Sequence, residues 1–238
     1  MGRWNAEHIM NKSNKTSSGS NQPVPASPKA TVYLIDDHPM IVKGITLLID
    51  AEADMKVVGG SSVWTVALKE IQQLKPDIVL LDVTLGNANG VEVLKNLKVH
   101  VPEQKVLMLS MHDENLYAVR AMKAGANGYL MKASATDEVP VAIRQVLKGE
   151  VYLSVTMSKR MMAQLVGQKT SEQDPLTALS DRELEVYQMV GDGLTTRQIA
   201  DRLFLSVKTI ETHKAHVKEK LHLESANELT KHAIQSRP

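Results

Sequence analysis

The stretch DIVLLD, residues 77–82, decides the fold of this 238-residue chain, because it is an apolar run of strand length that ends in a carboxylate. Comparable runs are TVYLID (31–36), MKVVGG (55–60), KVLMLS (105–110) and GYLM (128–131). Runs this short and this rich in Val, Ile and Leu are typical of strands buried on both faces. Five such strands alternate with five segments of helical periodicity. This alternation predicts an α/β fold, a doubly wound parallel sheet with right-handed crossovers.

The composition agrees with that fold and excludes several kinds of site. Hydrophobic residues make up 43% of the chain, with one Phe and two Trp, so the core must be largely aliphatic. There is no cysteine, which excludes disulfides and thiolate metal sites. The net charge of +1 means that any affinity for nucleic acid must come from local clustering. No run approaches the length of a membrane span, and no secretory signal is evident, so we expect a cytoplasmic protein without a membrane segment.

The composition and the pattern of apolar residues divide the chain into four segments. Residues 1–29 are polar and rich in Ser, Asn and Pro, which predicts a disordered leader. Residues 30–150 contain the alternating strands and helices, and residues 151–175 read as a linker with one short amphipathic helix. Residues 176–238 carry no strand pattern and predict a smaller all-α domain.

Capping signals divide the C-terminal segment into four short helices. Two of them begin with a capping box, in which a Ser or Thr is followed three residues later by Glu or Gln. The predicted helices follow Ser180 (with Glu183) to about Gly191, Thr195 (with Gln198) to about Leu203, Ser206 to about Leu221, and Ser225 to about Ala233.

Polar side chains stand where the predicted strands end. Asp36 and Asp37 end the first strand, Asp82 the third and Ser110 the fourth, while Lys132 follows the fifth. Chemistry in open α/β sheets sits outside the carboxyl ends of the strands. With a strand order of 2-1-3-4-5 the first, third and fourth strands are neighbours, so we expect these residues to line one pocket.

This set of side chains suits phosphoryl chemistry. Three adjacent carboxylates repel one another unless a cation lies between them. Oxygen ligands without His or Cys favour Mg²⁺, and a carboxylate can itself accept a phosphoryl group. A lone Asp at a strand end would be explained by capping alone. Five polar positions at four strand ends favour a functional pocket.

The α/β segment resembles the receiver domain of two-component signalling. The motifs that carry the resemblance are LIDDHP (34–39), LLDVTLGNANG (80–90), MLSMHD (108–113) and GYLMK (128–132). The resemblance implies that Asp82 is the phosphoacceptor, that Asp37 binds Mg²⁺ directly and that Asp36 binds it through water. It also implies that the main-chain carbonyl of Thr84 completes the protein ligands.

Three further positions have roles in that family. Ser110 is expected to hydrogen-bond a phosphoryl oxygen, and Lys132 to pair with the phosphoryl group. Tyr129 stands at the position of an aromatic switch that turns inward when the Ser110 hydroxyl moves toward the phosphate. The alternative for Tyr129 is a rim aromatic whose hydroxyl lies in water.

One position departs from the family pattern. Four residues after the phosphoacceptor the family usually has proline, whereas this chain has Gly86, followed by Asn87. We therefore expect the loop of residues 84–90 to be more flexible than usual, with an effect on the rate and lifetime of phosphorylation.

The third C-terminal helix, residues 207–221, is amphipathic and modestly basic. Val207, Ile210, Val217 and Leu221 predict its apolar face. The segment LSDRELEVYQMVGDGLTTRQIADRLFLSVKTIETHKAHVKEKL (179–221) resembles the helix-turn-helix domain of the LuxR/NarL/FixJ group. This resemblance implies that the helix enters the major groove of double-stranded DNA. The expected base-facing residues are Glu211, Thr212 and Ala215, and the expected phosphate contacts are Lys208, Thr209, His213, Lys214, Lys218 and Arg197.

Together these features predict a bacterial transcription factor switched by phosphoryl transfer from a cognate histidine kinase to Asp82. It would bind DNA as a homodimer once activated, and it would not be a turnover enzyme, although the phosphoryl group would be lost slowly. One alternative is a phosphohydrolase with Asp36 or Asp37 as nucleophile. Such enzymes have a second Asp two residues after the nucleophile. In this chain that position is His38, counted from Asp36, or Pro39, counted from Asp37. Another alternative is a receiver regulated by a partner protein without phosphate.

Overall fold

The structure, a computed structural model, describes residues 28–86, 88–111, 114–165 and 175–236. The predicted leader, apart from its last two residues, and the second half of the predicted linker lie outside the described residues. The strands are β1 (Ala30–Ile35), β2 (Met55–Ser61), β3 (Ile78–Asp82), β4 (Thr84–Leu85), β5 (Ala88–Asn89), β6 (Val106–Ser110) and β7 (Gly128–Met131). The α-helices are α1 (Pro39–Asp50), α2 (Trp64–Leu74), α3 (Gly90–His100), α4 (Glu114–Lys123), α5 (Ala135–Leu147), α6 (Val155–Leu165), α7 (Asp181–Gly191), α8 (Thr196–Leu203), α9 (Val207–Lys220) and α10 (Ala226–Gln235).

The main sheet has five parallel strands in the order β2-β1-β3-β6-β7, which confirms the predicted topology. Side chains along β3 alternate between two apolar clusters, with Ile78 and Leu80 in one and Val79 and Leu81 in the other. The first cluster includes side chains of α1 and α5, and the second includes those of α2, α3 and α4. The central strand is therefore buried on both faces, as its uninterrupted apolar run predicts.

A short antiparallel hairpin, β4 and β5, follows the end of β3 and leads into α3. The side chain of Asn89 caps α3 by accepting hydrogen bonds from the amides of Val91 and Glu92. Gly90, the first residue of α3, donates its amide to the carbonyl of Val83 at 2.7 Å. These contacts hold the hairpin close to Asp82.

The C-terminal helices begin where the capping signals predict. The two capping boxes are present, at Ser180 with Glu183 and at Thr195 with Gln198. Along α9, Ile210 and Val217 are fully buried, but Val207 is 43% exposed, so its assignment to the apolar face was wrong. Val207 is the first residue of the helix, where the turn from α8 arrives and leaves its side chain uncovered. No helix among the described residues is long and apolar enough to cross a membrane.

Candidate functional site

The strand register brings the predicted pocket residues to one edge of the sheet. Ile35 pairs with Leu81, so Asp36 and Asp82, one residue further on, lie side by side. Asp82 pairs with Leu109 and Ser110 pairs with Met131, which places Ser110 and Lys132 at the same edge. Asp36, Asp37, Asp82, Ser110 and Lys132 form what we call the acid pocket.

Lys132 lies between two carboxylates at the bottom of the acid pocket. Its Nζ is 2.7 Å from Asp36 Oδ2 and 2.8 Å from Asp82 Oδ2. All three side chains are at most 5% exposed. Removing this ammonium would leave buried carboxylates without their cation, so the lysine is held here by charge pairing as well as by the strand that precedes it.

Asp37 and His38 form the more open side of the pocket. The amide of Gly86 donates to Asp37 Oδ2 at 2.8 Å, a hydrogen bond that the proline usual at this position could not make. His38 Nδ1 lies 2.9 Å from Asp37 Oδ1 and 3.2 Å from Asp36 Oδ1. His38 was not among the residues predicted for the site, although its position directly after two aspartates was a signal.

Burial raises the pKa of the Asp82 carboxyl from its ordinary value to about 6. The Lys132 ammonium lowers this pKa and the charge of Asp36 raises it, while the backbone amide of Thr84 favours the ionised form by hydrogen bonding. The Asp82 carboxyl is thus mostly ionised at pH 7, although burial disfavours its ionised form. A further cation in the pocket would stabilise it.

The donor set fits a hard divalent cation. Oxygens of Asp36, Asp37 and Asp82, together with a ring nitrogen of His38, lie within 4.8 Å of one another. The Lys132 ammonium is shared by Asp36 Oδ2 and Asp82 Oδ2, and the His38 ring contacts Asp37 Oδ1. Three adjacent carboxylates repel one another, and a further cation between them would offset that repulsion. The acid pocket is therefore a cluster that could bind a metal, with carboxylate ligands of the kind Mg²⁺ prefers.

The two predicted switch residues are both buried. Ser110 is 0% exposed at the end of β6, and Tyr129 is 1% exposed on β7. Tyr129 packs in the apolar cluster that includes α3 and α4. This placement does not fit the alternative of a rim aromatic with its hydroxyl in water.

The helix α9 presents a polar face to solvent. Lys208, Glu211, Thr212 and Ala215 are all exposed and lie three or four residues apart, on one side of the helix. The turn from α8 to α9 passes through Phe204 in the left-handed region, with φ of 53°. This is the geometry of a helix-turn-helix whose second helix can lie in a major groove.

The residues predicted to contact phosphates differ in their exposure, hydrogen bonding and charge. Arg197 is exposed, while Thr209 and Lys218 are half-buried. The Nζ of Lys214 donates to Thr196 Oγ1 at 3.2 Å. Burial lowers the pKa of His213 below its ordinary value, which disfavours the charged form in the protein without DNA.

Comparisons with known proteins agree with both halves of this description. Residues 32–144 match the family described as "Response regulator receiver domain". Residues 177–233 match "Bacterial regulatory proteins, luxR family". The oxygen regulatory protein NreC of Staphylococcus epidermidis is 31% identical over 212 residues, covering 87% of this chain and 97% of that protein.

Solved structures show the same architecture. A LuxR-family two-component response regulator from Aurantimonas is 29% identical with a TM-score of 0.54, covering 58% of this chain and 99% of its own. RcsB from Salmonella enterica serovar Typhimurium, bound to a promoter with the phosphomimetic BeF₃⁻, is 24% identical with a TM-score of 0.61, covering 87% and 99%. At that identity the likeness supports the fold alone. With its sheet, acid pocket and helix-turn-helix, the chain belongs to the LuxR-type (NarL/FixJ) family of two-component response regulators and is a DNA-binding transcriptional regulator.

Proposed function

We propose that Asp82 accepts a phosphoryl group from a cognate histidine kinase and that this event switches the DNA binding of the protein. The observation that carries the proposal is the Asp82 carboxylate itself, buried at a strand end 2.8 Å from the Lys132 ammonium and beside two further acids. A receiver domain spanning residues 30–150 would be joined by the linker of residues 151–175 to a DNA-binding domain of residues 176–238. The protein would act in the cytoplasm.

Mg²⁺ would be held by Asp37 and Asp82 directly, by Asp36 through water, and by the main-chain carbonyl of Thr84. The cation would offset charge on the oxygens of the transferring phosphoryl group. The carboxylate oxygens of Asp36, Asp37 and Asp82, which lie within 4.8 Å of one another, support this assignment.

In the transfer itself, a carboxylate oxygen of Asp82 forms a bond to phosphorus as the bond from phosphorus to the donor histidine nitrogen breaks. Lys132 is already in contact with that carboxylate and would bind a phosphoryl oxygen after transfer. The Ser110 hydroxyl would donate to another phosphoryl oxygen. The protein would then be a phosphoryl acceptor that slowly loses the group by hydrolysis, and not a turnover enzyme.

The response would pass through Tyr129, at the centre of β7. A move of Ser110 toward the phosphoryl group would free space for the ring and shift the face formed by α4, β7 and α5. This shift would promote a homodimer, because one short recognition helix reads few base pairs and paired half-sites supply the rest. In the complex, Glu211, Thr212 and Ala215 would face bases, and Lys208, Thr209, His213, Lys214, Lys218 and Arg197 would contact phosphates.

The proposal is tested by DNA affinity, measured by fluorescence anisotropy on a duplex selected from random DNA by the protein treated with Mg²⁺ and acetyl phosphate. The treatment should tighten binding about tenfold in the wild type, within the range of typical allosteric coupling. Asp82→Asn should not respond to the treatment. Equal affinity of both proteins, with and without the phosphodonor, would contradict the proposal and favour regulation without phosphate.

A further inference from the structure

The DNA-binding domain contacts the receiver domain through a charged cluster at the start of α7. Asp181, which is 6% exposed, lies between two cations of the receiver. Its Oδ2 is 2.9 Å from Lys95 Nζ on α3, and its Oδ1 is 3.0 Å from Arg120 Nη1 on α4. We call Asp181, Lys95 and Arg120 the Asp181 cluster.

Arg120 is bound to the other domain by more than this ion pair. Its Nη1 also donates to the carbonyl of Leu179 at 2.7 Å, and its Nη2 donates to the carbonyl of Leu176 at 2.8 Å. Its side chain is 18% exposed. Hydrogen bonds from a partly buried guanidinium to a carboxylate and two carbonyls are charge-assisted and geometrically specific. Arg120 thus fixes the segment that begins α7.

Two more contacts continue the interface toward the acid pocket. The hydroxyl of Tyr117 on α4 donates to Gln188 Oε1 on α7 at 2.8 Å. The side-chain amide of Asn89, which also caps α3, lies 3.4 Å from Glu185 Oε2 on α7. Helix α7 is therefore hydrogen-bonded to side chains of α4 and packs against the hairpin that follows Asp82.

The end of α8 and the turn after it reach the mouth of the acid pocket. A cleft of about 300 Å³ is lined on the receiver side by Asp37, His38, Thr84 and Gly86, and on the DNA-binding side by Met189, Arg202, Leu203 and Phe204. A Cβ on Gly86 would lie 3.6 Å from Cε2 of Phe204, so the ring of Phe204 lies close over the hairpin. Access to Asp82 from this side passes between the two domains.

We propose that the DNA-binding domain, held by the Asp181 cluster, covers the mouth of the acid pocket so that a small phosphodonor can enter while a protein phosphodonor must wait for the domains to separate. A cleft of about 300 Å³ is far smaller than a helix of a partner protein. The polar face of α9 stays exposed in this arrangement. The contact thus restricts phosphorylation rather than covering the residues expected to read DNA.

This inference rests on the proposed function of Asp82, but its test does not require phosphorylation. The chain has no cysteine, so Thr84→Cys places a single thiol at a half-buried position on the receiver side of the cleft. Its rate of modification is measured with a small reagent, iodoacetamide, and with a bulky one, a maleimide carried on a polyethylene glycol chain. Val99→Cys, at a site 76% exposed on α3, serves as the reporter outside the cleft.

Arg120→Gln in the Thr84→Cys background should raise the rate with the bulky reagent about fivefold or more, and the rate with iodoacetamide less than twofold. Asp181→Asn, which removes the same ion pair from the other domain, should act in the same direction. Lys123→Gln, an exposed change on the same helix as Arg120, should change neither rate. The Val99→Cys reporter should respond to none of these changes.

Equal rates with the bulky reagent in the wild-type background, Arg120→Gln and Asp181→Asn would overturn the inference. The Arg120→Gln and Asp181→Asn variants with Thr84 intact are treated with Mg²⁺ and acetyl phosphate in parallel. If Asp82 is modified normally while the thiol rates are equal, the inference fails and the proposed function stands. If Asp82 is not modified in the wild type, the proposed function fails whatever the thiol rates show.

Discussion

Replacing Lys132 by Gln should destabilise the metal-free protein by about 3–5 kcal/mol at pH 8, the usual result of removing one partner from a buried ion pair. The substitution leaves Asp36 and Asp82 facing each other, both buried and with no cation between them. The free energy of unfolding is measured by urea denaturation followed by circular dichroism. Lys69→Gln, an exposed change on α2, is the matched control and should have almost no effect.

The pH dependence of the Lys132→Gln variant follows from the raised pKa of Asp82. Because that pKa is about 6 in the folded wild type and near 3.9 in an unfolded chain, the folded state binds the proton more tightly. Stability from this group is therefore present at low pH and is lost as pH rises through the folded pKa. Without Lys132 the loss is larger, so the variant should recover much of its stability at pH 5 or with added Mg²⁺ at pH 8. A defect that is the same at pH 5, at pH 8 and with Mg²⁺ would contradict the charge-pairing account.

The second large effect is expected for Gly90→Ala, which should destabilise the receiver domain by about 3 kcal/mol or more. A Cβ at this position would overlap the carbonyl oxygen of Asp82 and would lie 2.7 Å from Cα of Val83. Both atoms belong to the backbone, so no side chain can move aside to make room. The first residue of α3 would have to leave the end of β3, at the point where Asp82 is presented.

Gly44→Ala is the matched control for Gly90→Ala. Gly44 lies within α1, and a Cβ there would meet nothing within 4 Å. The substitution should be neutral or stabilise the protein by about 0.5–1 kcal/mol, since Gly is a poor helix former. Similar unfolding free energies for the two alanine variants, measured by urea denaturation, would show that the close backbone approach at Gly90 is not needed.

The sequence predicts the acid pocket well because its members follow apolar runs. The strand ending in Asp82 is recognisable from Ile78 to Leu81, and parallel strands place their carboxyl ends at one edge. The helix starts at Ser180 and Thr195 are equally local signals, since each capping box spans four residues. Local patterns of this kind predict most of the elements, whereas the order of the sheet was assumed from the doubly wound fold.

The contact between the domains could not be predicted in this way. Asp181 and Arg120 are 61 residues apart, and each alone resembles an ordinary charge on a helix surface. The role of the Gly86 amide depends on the position of Asp37, which only the folded loop defines. Greater flexibility of residues 84–90, inferred from the missing proline, stays a prediction. The individual DNA contacts of α9 also stay predictions, because base recognition depends on a partner as well as on exposure.

The most direct measurement of the central claim is the mass and position of a phosphoryl adduct after incubation with Mg²⁺ and acetyl phosphate. The intact protein should gain about 80 Da, roughly one phosphoryl group, in a form that survives acid and is lost in base. Peptide mapping should place it on Asp82, and Asp82→Asn should show none. An adduct that persists in Asp82→Asn, or that maps to Asp36 or Asp37, would contradict the account.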